Sequence, residues 1–167
     1  MSIHPLSNWV QRQLPDAHVT VLEKENVIYI THPYGRKLTV IYLCKKMTLN
    51  NWYEQQDQYR LASAAPIWIL DAPLFIRYSA LPEARKARLR GEIPKAIFKE
   101  TGRCYYWNSR TNRLTIDTLF QTRTIYFQKN GRIRSHNYDF HIPFRQDGDL
   151  MDAFLQSGRI KLDRKKR

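Results

Sequence analysis

The run Val40-Ile-Tyr-Leu-Cys44 is apolar at every position. Strand side chains alternate between the two faces of a sheet. A strand that is apolar on both must lie centrally, with a layer packed on each side. The residues just downstream narrow the choice. Met47 to Ala64 reads as a helix capped by Thr48, with Leu49, Trp52, Tyr53, Gln56 and Tyr59 along one face and Pro66 as its stop. Ile67-Trp-Ile-Leu70 is a second short apolar strand. Strand, helix and strand form a βαβ unit, which is right-handed with parallel strands. The expected class is α/β, with a mixed sheet around a βαβ crossover.

Upstream, Pro5 to Leu14 reads as a helix, with Ser7 as N-cap and Leu6, Trp9, Val10 and Leu14 on its apolar face. Val19 to Leu22 and Val27 to Thr31 read as strands, and His32-Pro-Tyr-Gly35 as a turn in which Gly35 can take a positive φ. After Asp71-Ala-Pro73 the character changes. Glu83 to Arg90 is expected as a basic helix, entered at Pro82 and ended by Gly91. Cys104 to Trp107 reads as a strand. Thr124 to Phe127 and Arg132 to Arg134 read as a hairpin about Asn130-Gly131, a pair suited to a type I′ turn. A short helix is expected over Leu150 to Leu155. The expected organisation is an α/β core over 1–75, a small α+β extension over 76–158 packed on it, and a loose basic tail over 159–167.

Charge points to the partner. The 167 residues hold 28 Lys+Arg against 15 Asp+Glu, a net charge of +13. A surplus of that size favours a polyanion, nucleic acid first. The two cysteines form no C-x-x-C pair, which argues against a zinc site. There is no long apolar run at the N-terminus and no stretch of 18 apolar residues, so a cytoplasmic chain without a membrane span is expected. The phosphate-cradling G-x-x-x-x-G-K-[ST], the dinucleotide-binding G-x-G-x-x-G, the zinc-binding H-E-x-x-H and the nucleophile-bearing G-x-S-x-G are all missing.

Metal-dependent phosphodiester cleavage remains to be weighed. It needs two or more carboxylates on adjacent strands to hold Mg²⁺, with a lysine or glutamine to orient water. A helix, a hairpin and a βαβ unit in that order is the layout of the PD-(D/E)xK, or restriction-endonuclease-like, core. Several segments resemble the nuclease-like region of the CoiA competence-protein family. They are SNWVQRQLPDAHVTVLEKE, HPYGRKLTVIYLCKK, the helix ending QDQY, APIWIL, GRCYYWNSRTNRL and TRTIYFQKNGRI, spread over residues 7 to 135. The family's central strand carries a Glu-x-Gln motif and then a serine. Aligned on Tyr59 and Ile67 to Leu70, Ile41 stands at the glutamate, Leu43 at the glutamine, Lys45 at the serine and Gln55 at a usual arginine. The family's upstream aspartate falls near Val27 to Tyr29, where there is none. Glu23 or Glu25 matches its earliest acid.

The resemblance therefore implies the fold, and the departures argue against the activity. The function expected first is that of an accessory protein in DNA processing or recombination, binding nucleic acid through a degenerate nuclease-like fold. It needs no cofactor, binds DNA in preference to RNA, and has room for a protein partner in a recombination or mobile-element complex. Its expected contacts are Lys45, Lys46, Arg85, Lys86, Arg88, Arg90, Lys95, Arg103, Arg164, Lys165, Lys166 and Arg167. Tyr105, Tyr106 and Trp107 are either stacking platforms for bases or core. One alternative is an active Mg²⁺-dependent endonuclease using Glu23, Glu25, Glu54 or Asp71, with Lys45 orienting water. Another is a non-catalytic interaction subunit of a larger nucleoprotein assembly.

Overall fold

The central strand is β3 (Lys37–Leu43), and both of its faces are covered. The structure is a computed structural model that describes residues 2–63, 65–78, 87–89, 91–118, 121–140 and 145–162. A helix α1 (His4–Gln13) leads into β1 (His18–Leu22) and β2 (Val27–Thr31), which pair antiparallel. β2 then pairs antiparallel with β3 through a turn in which Gly35 takes φ 84°. Helix α2 (Leu49–Ala62) crosses over to β4 (Ile67–Asp71), which lies parallel to β3 as a βαβ unit requires. The Thr48 hydroxyl accepts from the Asn51 amide at 3.2 Å and caps α2.

A short α3 (Ala72–Phe75) comes next, then β5 (Ile76–Tyr78), β6 (Ala87–Leu89) and helix α4 (Glu92–Thr101). The remaining strands are β7 (Cys104–Asn108), β8 (Arg113–Asp117), β9 (Gln121–Lys129), β10 (Arg132–Phe140), β11 (Arg145–Asp149), β12 (Ala153–Gln156) and β13 (Arg159–Leu162). The main sheet has seven strands in the order β1-β2-β3-β4-β7-β8-β11. It is mixed: β3, β4 and β7 run parallel, and the other neighbours antiparallel. A second sheet has the order β5-β6-β10-β9, and β12 pairs with β13. No described helix is long and apolar enough to cross a membrane.

The alternation along β3 divides the core in two. Val40 and Tyr42 face one layer with Ile67, Ile69, Trp107 and the α1 residues Leu6, Trp9 and Val10. Ile41 and Leu43 face the other with Trp52, Trp68, Leu70, Ile93, Ile97 and Tyr106. The Tyr42 and Trp107 rings meet edge to face at 5.0 Å, a geometry that aromatic quadrupoles favour.

Four local expectations are corrected. Ser7 does not cap α1. The helix begins at His4 because Pro5 suits its first turn, and the Ser7 hydroxyl donates to the His4 carbonyl at 3.1 Å from inside it. Ala87–Leu89, expected within a basic helix, is a strand between β5 and β10, with Arg88 opposite Arg77 and Phe140. Helix propensity is a weak preference, and sheet pairing overrides it here. The rest of that stretch, including Arg85, Lys86 and Arg90, lies outside the described residues. The helix comes after Gly91 (φ 90°) instead, and Gly102 (φ 74°) closes it in the left-handed region where only glycine is unstrained. Leu150–Asp152 is one 3₁₀ turn leading into β12. Arg159–Leu162, expected as part of a loose tail, forms β13, with Ile160 buried; Arg164, Lys165, Lys166 and Arg167 lie outside the described residues.

Candidate functional site

The two ends of the parallel strands carry different surfaces. At the C-terminal end of β3 is a cavity of about 440 Å³. It is lined by Glu25 and Asn26 of the β1–β2 turn, by Tyr29 and Lys45, and by Gln55, Gln58 and Tyr59 of α2. Asn26 takes φ 55° in that turn, and its amide nitrogen donates to the Cys44 sulfur at 3.2 Å. Burial raises the Tyr59 phenol above its ordinary range, and the neighbouring Tyr29 and Glu25 add to this. The fold therefore brings Glu25, Lys45 and Gln55 to one cavity, with Lys46 exposed beside it.

The other candidate acids are elsewhere. Glu23 contacts the His4 ring on the surface, and Glu54 is exposed on α2. Asp71 is only 5% exposed and already committed. One of its oxygens accepts from the Tyr42 hydroxyl at 2.6 Å, and the other accepts from the Leu74 amide at 3.2 Å, capping α3. Burial, reinforced by Asp71, holds the Tyr42 phenol well above its ordinary value. Ile41 and Leu43 line the same cavity from its buried side. Among the described residues, no three His, Cys, Asp or Glu side chains come together in a way that could hold a metal ion. Glu25 is the one carboxylate among the residues lining the cavity.

At the opposite end, where β3, β4 and β7 begin, is a larger cleft of about 720 Å³. Arg36, Lys37, Arg60, Arg103 and Arg159 line it, with Glu100 as its one carboxylate. Glu100 accepts from Arg60 at 2.9 Å and from the Gln56 amide at 3.0 Å. Gln56 in turn accepts from the Trp68 indole at 2.6 Å. Glu100 is thus occupied, and Arg36, Lys37, Arg103 and Arg159 have no carboxylate partner among the described residues. Trp52 also lines the cleft, and its buried indole N–H has no hydrogen-bond partner among the described residues. A cleft lined mainly by one sign of charge focuses its field on anions.

Of these cations only Arg103 stands out in the sequence. The others come from the β2–β3 turn, the start of β3, α2 and the β12–β13 hairpin, more than 120 positions apart at the extremes, and no local pattern links them. Lys95 is exposed on α4. Tyr105, Tyr106 and Trp107 are core, not a stacking surface. All three are buried, and the Tyr105 hydroxyl accepts from the Ile160 amide at 3.2 Å. Comparison of the chain with known protein families, with curated proteins and with solved structures gives no match.

Proposed function

We propose that this chain is a non-catalytic nucleic-acid-binding protein built on a PD-(D/E)xK-like core, acting as an accessory in DNA processing or recombination. The observation that carries the reading is the fate of the motif positions. Ile41 and Leu43, which stand where the family resemblance puts glutamate and glutamine, pack among Trp52, Trp68 and Leu70 in a buried apolar cluster. Mg²⁺ demands an octahedron of oxygen ligands, and Glu25 alone supplies too few of them. The element order α1-β1-β2-β3-α2-β4, with β3 and β4 parallel, agrees with the layout of that core. The net charge of +13 and the cleft cations Arg36, Lys37, Arg103 and Arg159, without a carboxylate partner among the described residues, favour phosphate as the partner.

On this reading the larger cleft holds the phosphate backbone, and binding needs no metal. Labelled single- and double-stranded DNA, titrated with the protein with and without Mg²⁺ or Mn²⁺, tests it. The expected result is a mobility shift with the DNA intact. Each neutralised phosphate contributes about 0.7–0.9 to the slope of log affinity against log salt. Replacing Arg36, Lys37 and Arg159 together by alanine should flatten that slope by about 2–3. Metal-dependent cutting that is lost in EDTA and in Glu25→Gln would overturn the non-catalytic reading.

A further inference from the structure

No described residue of the β9–β10 hairpin lines either cleft, yet its turn end, Gln128 to Ser135, holds three cations and no carboxylate. Its nine residue pairs run from Gln121 opposite Phe140 to Lys129 opposite Arg132. At about 3.4 Å per residue, the ribbon is about 30 Å long. Asn130 (φ 55°) and Gly131 (φ 75°) close it with a two-residue turn of the type I′ kind. From Gln128 to Ser135 every residue is exposed, so this end of the ribbon is uncovered on both faces.

Register sorts its side chains. Lys129, Arg132 and Arg134 share one face, because Lys129 lies opposite Arg132 and Arg134 is two residues further on. Tyr126 and Ile133 share the other face as diagonal neighbours, 68% and 72% exposed. Two features are hard to account for in a free hairpin. Like charges directly opposite each other in an antiparallel pair are destabilising, and Lys129 and Arg132 are such a pair. No aspartate or glutamate stands between Asp117 and Asp139 to balance them. A large aliphatic and an aromatic side chain also stay in water beside the turn.

We propose that this hairpin is an arm that enters the major groove of duplex DNA. A two-stranded ribbon fits the width of that groove, about 12 Å. The cationic face would meet the phosphates along the groove walls and remove the repulsion between Lys129 and Arg132. The Tyr126–Ile133 face would meet base edges, where the thymine methyl is the apolar group on offer. In A-form RNA the major groove is too narrow and deep for side chains to read, so DNA is the duplex this arm fits. The inference rests on the nucleic-acid reading of the chain, but it assigns a second contact, separate from the cleft.

The test uses the full chain, a short labelled DNA duplex, and three variants: Lys129→Ala/Arg132→Ala/Arg134→Ala, Ile133→Ala, and the cleft variant Arg36→Ala/Lys37→Ala/Arg159→Ala. Affinity is measured against salt, and guanine N7, which faces the major groove, is probed with dimethyl sulfate. The hairpin triple variant should bind on the order of tenfold more weakly, with a slope lower by about 2.7, or 0.9 for each cation. Ile133→Ala should keep the slope and lose the guanine N7 protection that the wild type gives. If both hairpin variants bind and protect as the wild type does while the cleft variant weakens, the arm is refuted and the nucleic-acid reading stands. A reduced slope with guanine N7 unprotected in the wild type refutes the groove assignment. A wild type that binds no DNA overturns both.

Discussion

Strand β3 and the β9–β10 hairpin are both extended, with opposite fates. β3 is the third of seven strands, flanked on both sides, with Val40 to Leu43 buried on both faces. The hairpin ends in a stretch exposed on both faces, three cations among its residues. In β3 the side chains of Ile41 and Leu43 are packing groups. In the hairpin, apolar and charged groups stay in water although burial or pairing would stabilise them. A strand that is all core serves the fold, whereas exposed groups kept at a cost in stability point to a ligand. The same contrast separates the small cavity, with its single carboxylate, from the larger cationic cleft.

The contrast is broken most sharply at position 41. Ile41→Glu puts a carboxyl group on β3, at the position the CoiA resemblance gives to glutamate, within the apolar cluster that holds Trp52 and Trp68. It should cost about 4 kcal/mol or more, read from urea unfolding, without producing metal-dependent cutting. A folded variant that cleaves DNA would overturn the non-catalytic reading. Asp71→Ala comes next. It removes the α3 cap and the 2.6 Å hydrogen bond that the buried Tyr42 hydroxyl donates, at about 2–4 kcal/mol in the same assay.

A smaller effect is expected at alkaline pH. Burial holds the phenols of Tyr105 and Tyr106 above their ordinary value, as it does Tyr42. Their folded values are raised, so the unfolded chain loses these protons first. Stability is complete below about pH 10 and falls as the pH rises toward the folded values. Tyr106 is the cleanest probe, because its buried hydroxyl has no hydrogen-bond partner beyond the weak one offered by the Cys104 sulfur. Tyr106→Phe should leave the urea midpoint near wild type at pH 8 and recover about 1 kcal/mol at pH 11. The smallest change is at the hairpin tip. Arg132→Glu turns a like-charged pair into an opposite one and should raise stability by about 0.5 kcal/mol, while DNA affinity falls. A loss of both would mean that the tip contacts something in the body of the protein.

Much of the first half of the fold is legible in the residues. Val40 to Cys44 demands a covered central strand, Thr48 and Pro66 bracket α2, and the apolar Ile67 to Leu70 run requires a parallel partner. The hairpin is legible for a different reason: Asn130-Gly131 favours one turn geometry whatever surrounds it. Helix α4 is harder to read. Ile93, Ala96 and Ile97 have helical spacing and Gly102 marks its end, but Pro94 within the run has the look of a breaker. Ala87–Leu89 reads as helix because Ala, Arg and Leu are good helix formers, and only the flanking strands make them a sheet.

The sequence by itself determined the α/β class, the crossover between β3 and β4, the hairpin turn and the excess of positive charge. These come from side-chain periodicity, local turn chemistry and composition, which need no distant partner. The tertiary structure alone decided that Asp71 is buried against Tyr42, that Tyr105, Tyr106 and Trp107 are core, and that Arg36, Arg60, Arg103 and Arg159 meet at one cleft. Those outcomes depend on which strands lie side by side and which ends they share. Contacts between residues tens of positions apart leave no pattern in the local order of the chain.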